Sequence, residues 1–387
     1  MTTSSQQGVY ECGVIGTGGG GSAALYHLAR RGVRVLGLDR FPAGHDRGSS
    51  HGESRIIRLS YSEHPDYVPL LRRAYELWEE LSRETGQALY TETGLLLAGS
   101  PSCATITGVL ESARVHSLEV EELSVENVAQ RYPGLRLDAG LQAGLDARAG
   151  FLRVEDCVVA HIEKAIEQGA ELRTGETVLD WSASDGAPVT VRTDQGEYRA
   201  ERVVLTAGPW TADLLTDVGV SLEVVRKSLF WYRPRESVYR ADRGFPNYLV
   251  DTGDGVFYGV PEIEDGEIKV AEHSGGQPVD DPLDVDRSLL DEDRLRVEAY
   301  LARYMPAVEL ECTRHAVCMY TRTPDEHFLV GFHPQNSAVA VAGGLSGHGF
   351  KFSGVLGEVL ADLVTRGTTA LPIDFLGFDR FQTGRSD

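Results

Sequence analysis

Three glycines at a telling spacing open the chain's chemistry. Gly16-x-Gly18-x-x-Gly21 follows an apolar run at residues 9–15 and precedes an Ala- and Leu-rich run at 22–31. A second apolar run at 33–38 comes next, closed by Asp39. Between a strand and a helix, such a cluster suits a dinucleotide. Gly16 permits the tight turn, Gly18 lets the backbone approach a pyrophosphate, and Gly21 allows close helix–strand packing. The helix N-terminus offers free N–H groups and the positive end of its dipole to phosphate. Asp39 is placed to accept hydrogen bonds from adenosine ribose hydroxyls. A merely tight βα turn is the competing explanation, and the fingerprint alone does not choose between FAD and NAD.

These residues need elements to hold them. Residues 9–15, 22–31 and 33–38 make one βαβ unit, its helix ended by Gly32. Residues 65–84 carry Tyr67, Leu70, Leu71, Ala74, Leu77, Trp78 and Leu81 on one helical face, and 154–168 form a second amphipathic helix. Residues 95–98 read as a strand. Residues 189–193 and 197–200 flank Asp194-Gln195-Gly196 as a hairpin, and 202–206 is a buried strand running into Ala207-Gly208-Pro209-Trp210. From 229 to 270 the texture changes. Phe230, Tyr232, Tyr248, Val250, Val256, Tyr258, Val260, Ile268 and Val270 alternate with polar residues, with turns at Asp254-Gly255 and Asp265-Gly266, which predicts an antiparallel sheet. A charged helix over 285–304 follows, then a strand at 338–342, a Gly-rich turn at 343–349 and a helix over 350–365.

An NAD dehydrogenase would continue with βα repeats, so this discontinuous layout favours FAD. The expected class is α/β, α+β overall. A Rossmann-like FAD-binding domain is assembled from residues 1–92, 145–215 and 325–387, and an antiparallel-sheet substrate domain from 93–144 and 216–324.

Composition narrows the function classes. The chain has 387 residues, 42% apolar and 25% charged, as in soluble globular proteins. Lys plus Arg is 37 against 58 for Asp plus Glu, a formal charge of −21. That field repels phosphate backbones, so nucleic acid is not an expected partner, and an anionic substrate needs a locally positive pocket. Five cysteines, widely spaced and odd in number, predict neither a disulfide framework nor a zinc site, and no metal is expected. No apolar run approaches ~20 residues, so no membrane span is expected. Residues 1–8 read as neither signal nor transit peptide, and Gly384-Arg385-Ser386-Asp387 is no peroxisomal address; a cytoplasmic location is expected.

Three further segments carry a resemblance. Gly48-Ser49-Ser50-His51-Gly52-Glu53-Ser54-Arg55-Ile56-Ile57-Arg58 is close to the pattern G-S-H-H-G-D-T-R-I-I-R. The others are Ala316-Val317-Cys318-Met319-Tyr320-Thr321-Arg322-Thr323-Pro324-Asp325-Glu326-His327-Phe328 and Leu345-Ser346-Gly347-His348-Gly349-Phe350-Lys351-Phe352. With the fingerprint, and in this order, they resemble the monomeric sarcosine oxidase and N-methyltryptophan oxidase family of flavoenzymes. The resemblance implies FAD, a two-domain monomer, and oxidation of secondary-amine amino acids by O2 with release of hydrogen peroxide. Ser50 replaces a histidine of the pattern, Ser54 a threonine, and Glu272 precedes His273 where the family has other residues, which leaves the substrate open.

The same resemblance assigns roles. Cys318 is implied as a covalent thioether anchor for the flavin, which needs cations nearby to favour thiolate; Arg314 and His315 are near in sequence, though strand alternation turns neighbours apart. A small buried hydrophobe is the alternative. Arg58 and Lys351 are implied as a clamp on the substrate carboxylate, a planar fork plus a point charge. The alternative for Arg58 is an ion pair with a surface acid. Lys351 at a helix start opposes the dipole and calls for a negative partner. That helix start would face the flavin pyrimidine ring, with Gly347 and Gly349 allowing close approach and Phe350 beside them. Lys269 is implied as the cation that promotes oxygen reduction, against a solvated strand lysine. His273 and Tyr258, the latter preceded by Phe257, are implied at the substrate, against structural histidine and core packing. Arg55 is expected beside the flavin with Tyr61 nearby. Ser50, His51, Gly208, Tyr320 and His348 complete the expected cofactor surroundings. Leu229-Phe230-Trp231-Tyr232, His273-Ser274-Gly275-Gly276-Gln277 and the last helix look closer to N-methyltryptophan oxidase than to sarcosine oxidase. Cyclic imino acids, glycated amino acids, another electron acceptor, or a module that binds FAD or NAD without amine chemistry remain alternatives.

Overall fold

The structure, a computed structural model, describes residues 8–381 except Asp185 and Asp265. The readings for residues 1–7 and for Gly384-Arg385-Ser386-Asp387, and half of the Asp265-Gly266 turn, lie outside the described residues.

Strand β1 (Tyr10–Ile15), helix α1 (Gly19–Arg30) and strand β2 (Val35–Asp39) form the expected βαβ unit. The helix begins at Gly19 rather than at residue 22, so the glycine cluster is its first turn. Five of six β1 residues and all of β2 are buried, as parallel strands covered on both faces must be. The eight-stranded sheet runs Glu171–Thr174, β2, β1, Glu197–Leu205, Asn336–Gly343, Leu329–His333. The expected hairpin strand and the expected buried strand are one strand, Glu197–Leu205. Its first half pairs antiparallel with Val189–Thr193 and its second half parallel with β1. Helix α1 packs between Val154–Glu167 and the last helix, Ser353–Arg366. A Cβ at Gly357 would fall 2.5 Å from the Ala23 backbone, so glycine sets how closely those helices approach.

The second sheet has nine strands. It runs Glu223–Pro234, Ile268–Glu272, Val256–Val260, Asn247–Asp251, Leu95–Gly99, Gln142–Asp146 and Glu121–Leu123, with Val308–Arg322 and Gln277–Pro278 both paired to the first of these. It is antiparallel as expected except between Asn247–Asp251 and Leu95–Gly99, which run parallel. Period-two alternation divides the faces. Phe230, Tyr232, Tyr248, Val250, Ile268 and Val270 pack with Val297, Tyr300, Leu301 and Tyr304 of the helix Asp291–Tyr304, which starts later than residue 285. Leu229, Trp231, Ala271 and Cys318, with Tyr258 and Ala316, cluster on the other face. The register sets Trp231 beside Lys269, Tyr258 beside Ala271 and Lys227 beside Cys318. Lys269, Ala271 and His273 therefore follow one another on this second face, as do Ala316, Cys318 and Tyr320.

Candidate active site

A cavity of about 730 Å³ runs from Gly16, Gly18 and Asp39 at one end, past Arg55, to Arg58, Tyr258, His273 and Lys351. Gly16 has φ +82°, and a Cβ there would sit 2.7 Å from the Thr206 carbonyl. A Cβ on Gly21 would collide with the Gly16 carbonyl, whereas one on Gly18 would meet only Ser50 Oγ, at 3.7 Å. Asp39 is committed to the fold: Oδ2 accepts from the Thr17 N–H (2.6 Å) and hydroxyl (3.1 Å), and Oδ1 from the Phe41 N–H. Ser50 Oγ accepts the N–H of Gly19, the first residue of α1. Gly208, at φ +56°, and Phe350 also line the wall.

Buried polar atoms without partners mark where a ligand fits. Arg40 Nη1, Trp210 Nε1, Thr321 Oγ1 and Ser353 Oγ belong to cavity-lining residues and have no hydrogen-bond partner among the described residues. Leaving such atoms unpaired is costly. The glycine cradle, the elongated cavity and these four donors fit a dinucleotide of FAD's length and polarity. Arg40 has no role in the sequence reading; its position directly after Asp39 is the available signal.

Behind the middle of the wall lies Cys318, 1% exposed. Its Sγ accepts from Arg55 Nη2 at 3.2 Å and is 3.4 Å from the Ser49 carbonyl. Burial alone would push this thiol up, but Arg55 and His51 outweigh it and bring it down to about 6. The neighbours that lower it are thus the Arg55 guanidinium and His51; Arg314 instead reaches Glu267 (2.7 Å) and Glu53 at the surface, and His315 faces the Arg287 carbonyl. Lys269 is also buried, not solvated. Its ammonium donates to the carbonyls of Gly52 (2.6 Å) and Ser54 (2.7 Å) and to Ser54 Oγ (3.3 Å), and it lies 5.7 Å from the Trp231 ring centre. Burial and the nearby Arg55 hold its pKa well below the usual lysine range. Lys269, Cys318 and His51 do not themselves line the cavity.

The far end holds Arg58 and Lys351, both buried and both on the wall. Arg58 Nη2 donates to both carboxylate oxygens of Glu63 at 2.9 Å, and Nη1 to the Ser60 carbonyl. Burial opposes ionisation of Glu63, yet Arg58, with His348 and Lys351, holds its carboxyl well below the usual range. Glu63 escaped the sequence reading because a lone acid in a polar turn carries no pattern. Lys351 Nζ donates to the His348 carbonyl at 2.7 Å; its direct partner is a carbonyl, not the carboxylate expected of a helix-start cation. It sits in the 3₁₀ turn Phe350–Phe352, ahead of the α-helix. Burial and Arg58 pull its pKa down to about 7 while Glu63 resists.

Between these ends, Gly347 has φ +82°, and a Cβ there would collide with the Tyr320 ring, while one on Gly349 would strike Leu345. His273 Nδ1 lies 3.3 Å from the Tyr320 hydroxyl, and burial above all pushes its pKa down to about 3, so the ring is neutral. Tyr258 lines the wall.

The family model for FAD dependent oxidoreductases matches residues 11–363. The chain is 42% identical over 371 residues to monomeric sarcosine oxidase of Streptomyces avermitilis, covering 94% of this chain and 96% of that one. It is 32% identical to N-methyl-L-tryptophan oxidase of Citrobacter koseri, covering 96% and 99%. Whole-chain identity is thus higher to the sarcosine oxidase than to the N-methyltryptophan oxidase, against the lean read from the local motifs. NikD, an unusual amino acid oxidase essential for nikkomycin biosynthesis, superposes with TM-score 0.84 at 27% identity, covering 95% of this chain and 97% of that one. Among the described residues no helix is long and apolar enough to cross a membrane. A mixed α/β scaffold with a dinucleotide cradle at one end and buried cations at the other accords with these matches: the chain belongs to the FAD dependent oxidoreductases and, within them, to the monomeric sarcosine oxidase and N-methyltryptophan oxidase family.

Proposed function

We propose that the protein oxidises secondary-amine amino acids, N-methyl amino acids such as sarcosine or N-methyltryptophan, with O2 as acceptor and hydrogen peroxide as product. The observation that carries this reading is the pair Arg58 and Lys351, two buried cations on the wall of a cavity in a protein of formal charge −21. A substrate carboxylate would take the place of Glu63 on the Arg58 fork and meet Lys351 beside it. The same cations, in a poorly hydrated site, disfavour a substrate ammonium and so leave the amine lone pair free. His273, neutral and near Tyr320, is suited to hold that amine by a hydrogen bond rather than to act as a strong base.

Residues from Gly16 to Gly21, with Arg40, Trp210 and Ser353, would hold FAD, with Cys318 as its covalent anchor. Bound FAD supplies the two-electron acceptor for the substrate's C–H hydride and passes the pair to oxygen. The imine left behind hydrolyses, giving formaldehyde from an N-methyl group. Lys269, with Arg55, places positive charge behind the wall where reduction of oxygen needs it. We read the domain division as stated from the sequence, the antiparallel sheet carrying the substrate face, in a cytoplasmic monomer.

The test is a panel of N-methyl, cyclic and glycated amino acids assayed for peroxide. Peroxide with N-methyl amino acids, and none with their decarboxylated amines, is the expected result. Anaerobic bleaching of the flavin without aerobic peroxide would point to another acceptor, and no bleaching by any amino acid would overturn the reading.

A further inference from the structure

Two like charges in one buried site repel, and Arg58 and Lys351 need something constant to hold them together. Glu63 pairs directly with Arg58 alone and is the group a substrate would displace. The Tyr61 ring meets both cations: Arg58 Cζ lies 4.9 Å and Lys351 Nζ 5.2 Å from its centre. Distances of this order allow the negative face of an aromatic ring to attract a cation, more strongly where water is excluded.

Tyr61 is fully buried and braced on several sides. Phe352 meets it edge-on at 5.4 Å and Tyr67 at 5.1 Å. Its hydroxyl is 2.5 Å from His348 Nδ1. His348 Nε2 faces the Glu326 carbonyl at 3.0 Å. A carbonyl only accepts, so Nε2 carries the proton and Nδ1 accepts from Tyr61. Burial keeps this imidazole neutral, its pKa pushed down to about 4. His348 thus fixes the ring through its side chain and Lys351 through its carbonyl.

We propose that Tyr61 is the positioning residue of the anion site: its ring face holds the two cations side by side, so that it strengthens carboxylate binding without touching the carboxylate. This rests on the carboxylate reading above.

The experiment replaces Tyr61 by phenylalanine and then by mono-, di- and trifluorophenylalanine in the flavin-loaded protein. The series keeps ring shape while draining its negative face. Acetate serves as the anionic probe, read by competition with substrate and by perturbation of the flavin spectrum. Tyr61→Phe should change affinity little, and affinity should then fall stepwise, roughly three- to thirty-fold over the series. The pH above which acetate binding is lost should also move down with each fluorine, because the ring favours the charged form of Lys351. Arg58, Arg55, Glu63, His348 and His273 also face this end and do not change along the series. Affinity flat across the fluorines, or equal losses for acetate and neutral acetamide, overturns the inference. Acetate that fails to bind the parent protein, or binds an Arg58→Gln protein equally well, overturns the carboxylate reading beneath it. Binding lost in Arg58→Gln but flat in fluorine overturns the role of Tyr61 alone.

Discussion

Two cationic clusters, one on the far end of the cavity and one behind the middle of its wall, use the same parts to opposite purpose. At each, a buried lysine lies over an aromatic ring with an arginine close to the lysine: Lys351 over Tyr61 with Arg58, and Lys269 over Trp231 with Arg55. At the first, the anion is the carboxylate of Glu63, and the cations line the open cavity. At the second, the anion is the Cys318 sulfur, and the Lys269 protons are all spoken for by Gly52 and Ser54. A site whose counter-ion can be exchanged is a binding site; one whose counter-ion is built in sets a permanent field. On the function proposed above, that contrast corresponds to recognition at the first cluster and redox chemistry at the second.

The contrast is broken or sharpened by substitution. Cys318→Ser should abolish covalent attachment altogether: after acid precipitation the flavin stays in solution, whereas flavin pelleting with the polypeptide would remove Cys318 from its role. Arg58→Gln loses a buried fork and leaves Glu63 without its ion-pair partner, so KM should rise about 30-fold or more, from a loss of about 2–5 kcal/mol. Anaerobic reduction at saturating substrate should change far less. Lys269→Met should do the reverse, slowing flavin reoxidation by O2 about 100-fold with anaerobic reduction intact; equal effects on both half-reactions would erase the division. Carboxylate affinity should fall as pH rises through about 7, because Lys351 binds an anion as the ammonium form and its pKa is held near there. The loss approaches tenfold per pH unit if that charge is essential, and Lys351→Met should flatten the profile. Trp231→Phe should slow reoxidation by only about two- to threefold, since a ring remains under Lys269.

Much of this was legible in the chain. The glycine spacing and the closing Asp39 placed the first βαβ unit, and alternation placed the second sheet. Parity within Ile268–Glu272 already put Lys269 on the face opposite Ile268 and Val270. What escaped was contact between distant segments. Nothing near Cys318 in sequence announces Arg55 or His51 as the groups beside it, because they arrive on another strand and its preceding loop. The bonds that orient Asp39 at the cavity wall, from the Thr17 hydroxyl and N–H, are a property of the folded turn and not of the spacing. The pairing of Arg58 with Glu63 depends on a turn with no periodicity.

The strand Val308–Arg322 has 15 residues and passes from a mostly exposed stretch at 309–314 to a buried one at 317–321. It therefore works as a ruler with two phases. Deleting one residue between Arg314 and Cys318 would leave a strand able to pair, yet swing the sulfur and the Tyr320 ring to the opposite side of the sheet. Such a protein should fold and still fail to tether its chromophore, which makes chain phase, rather than residue identity alone, a heritable constraint on this enzyme.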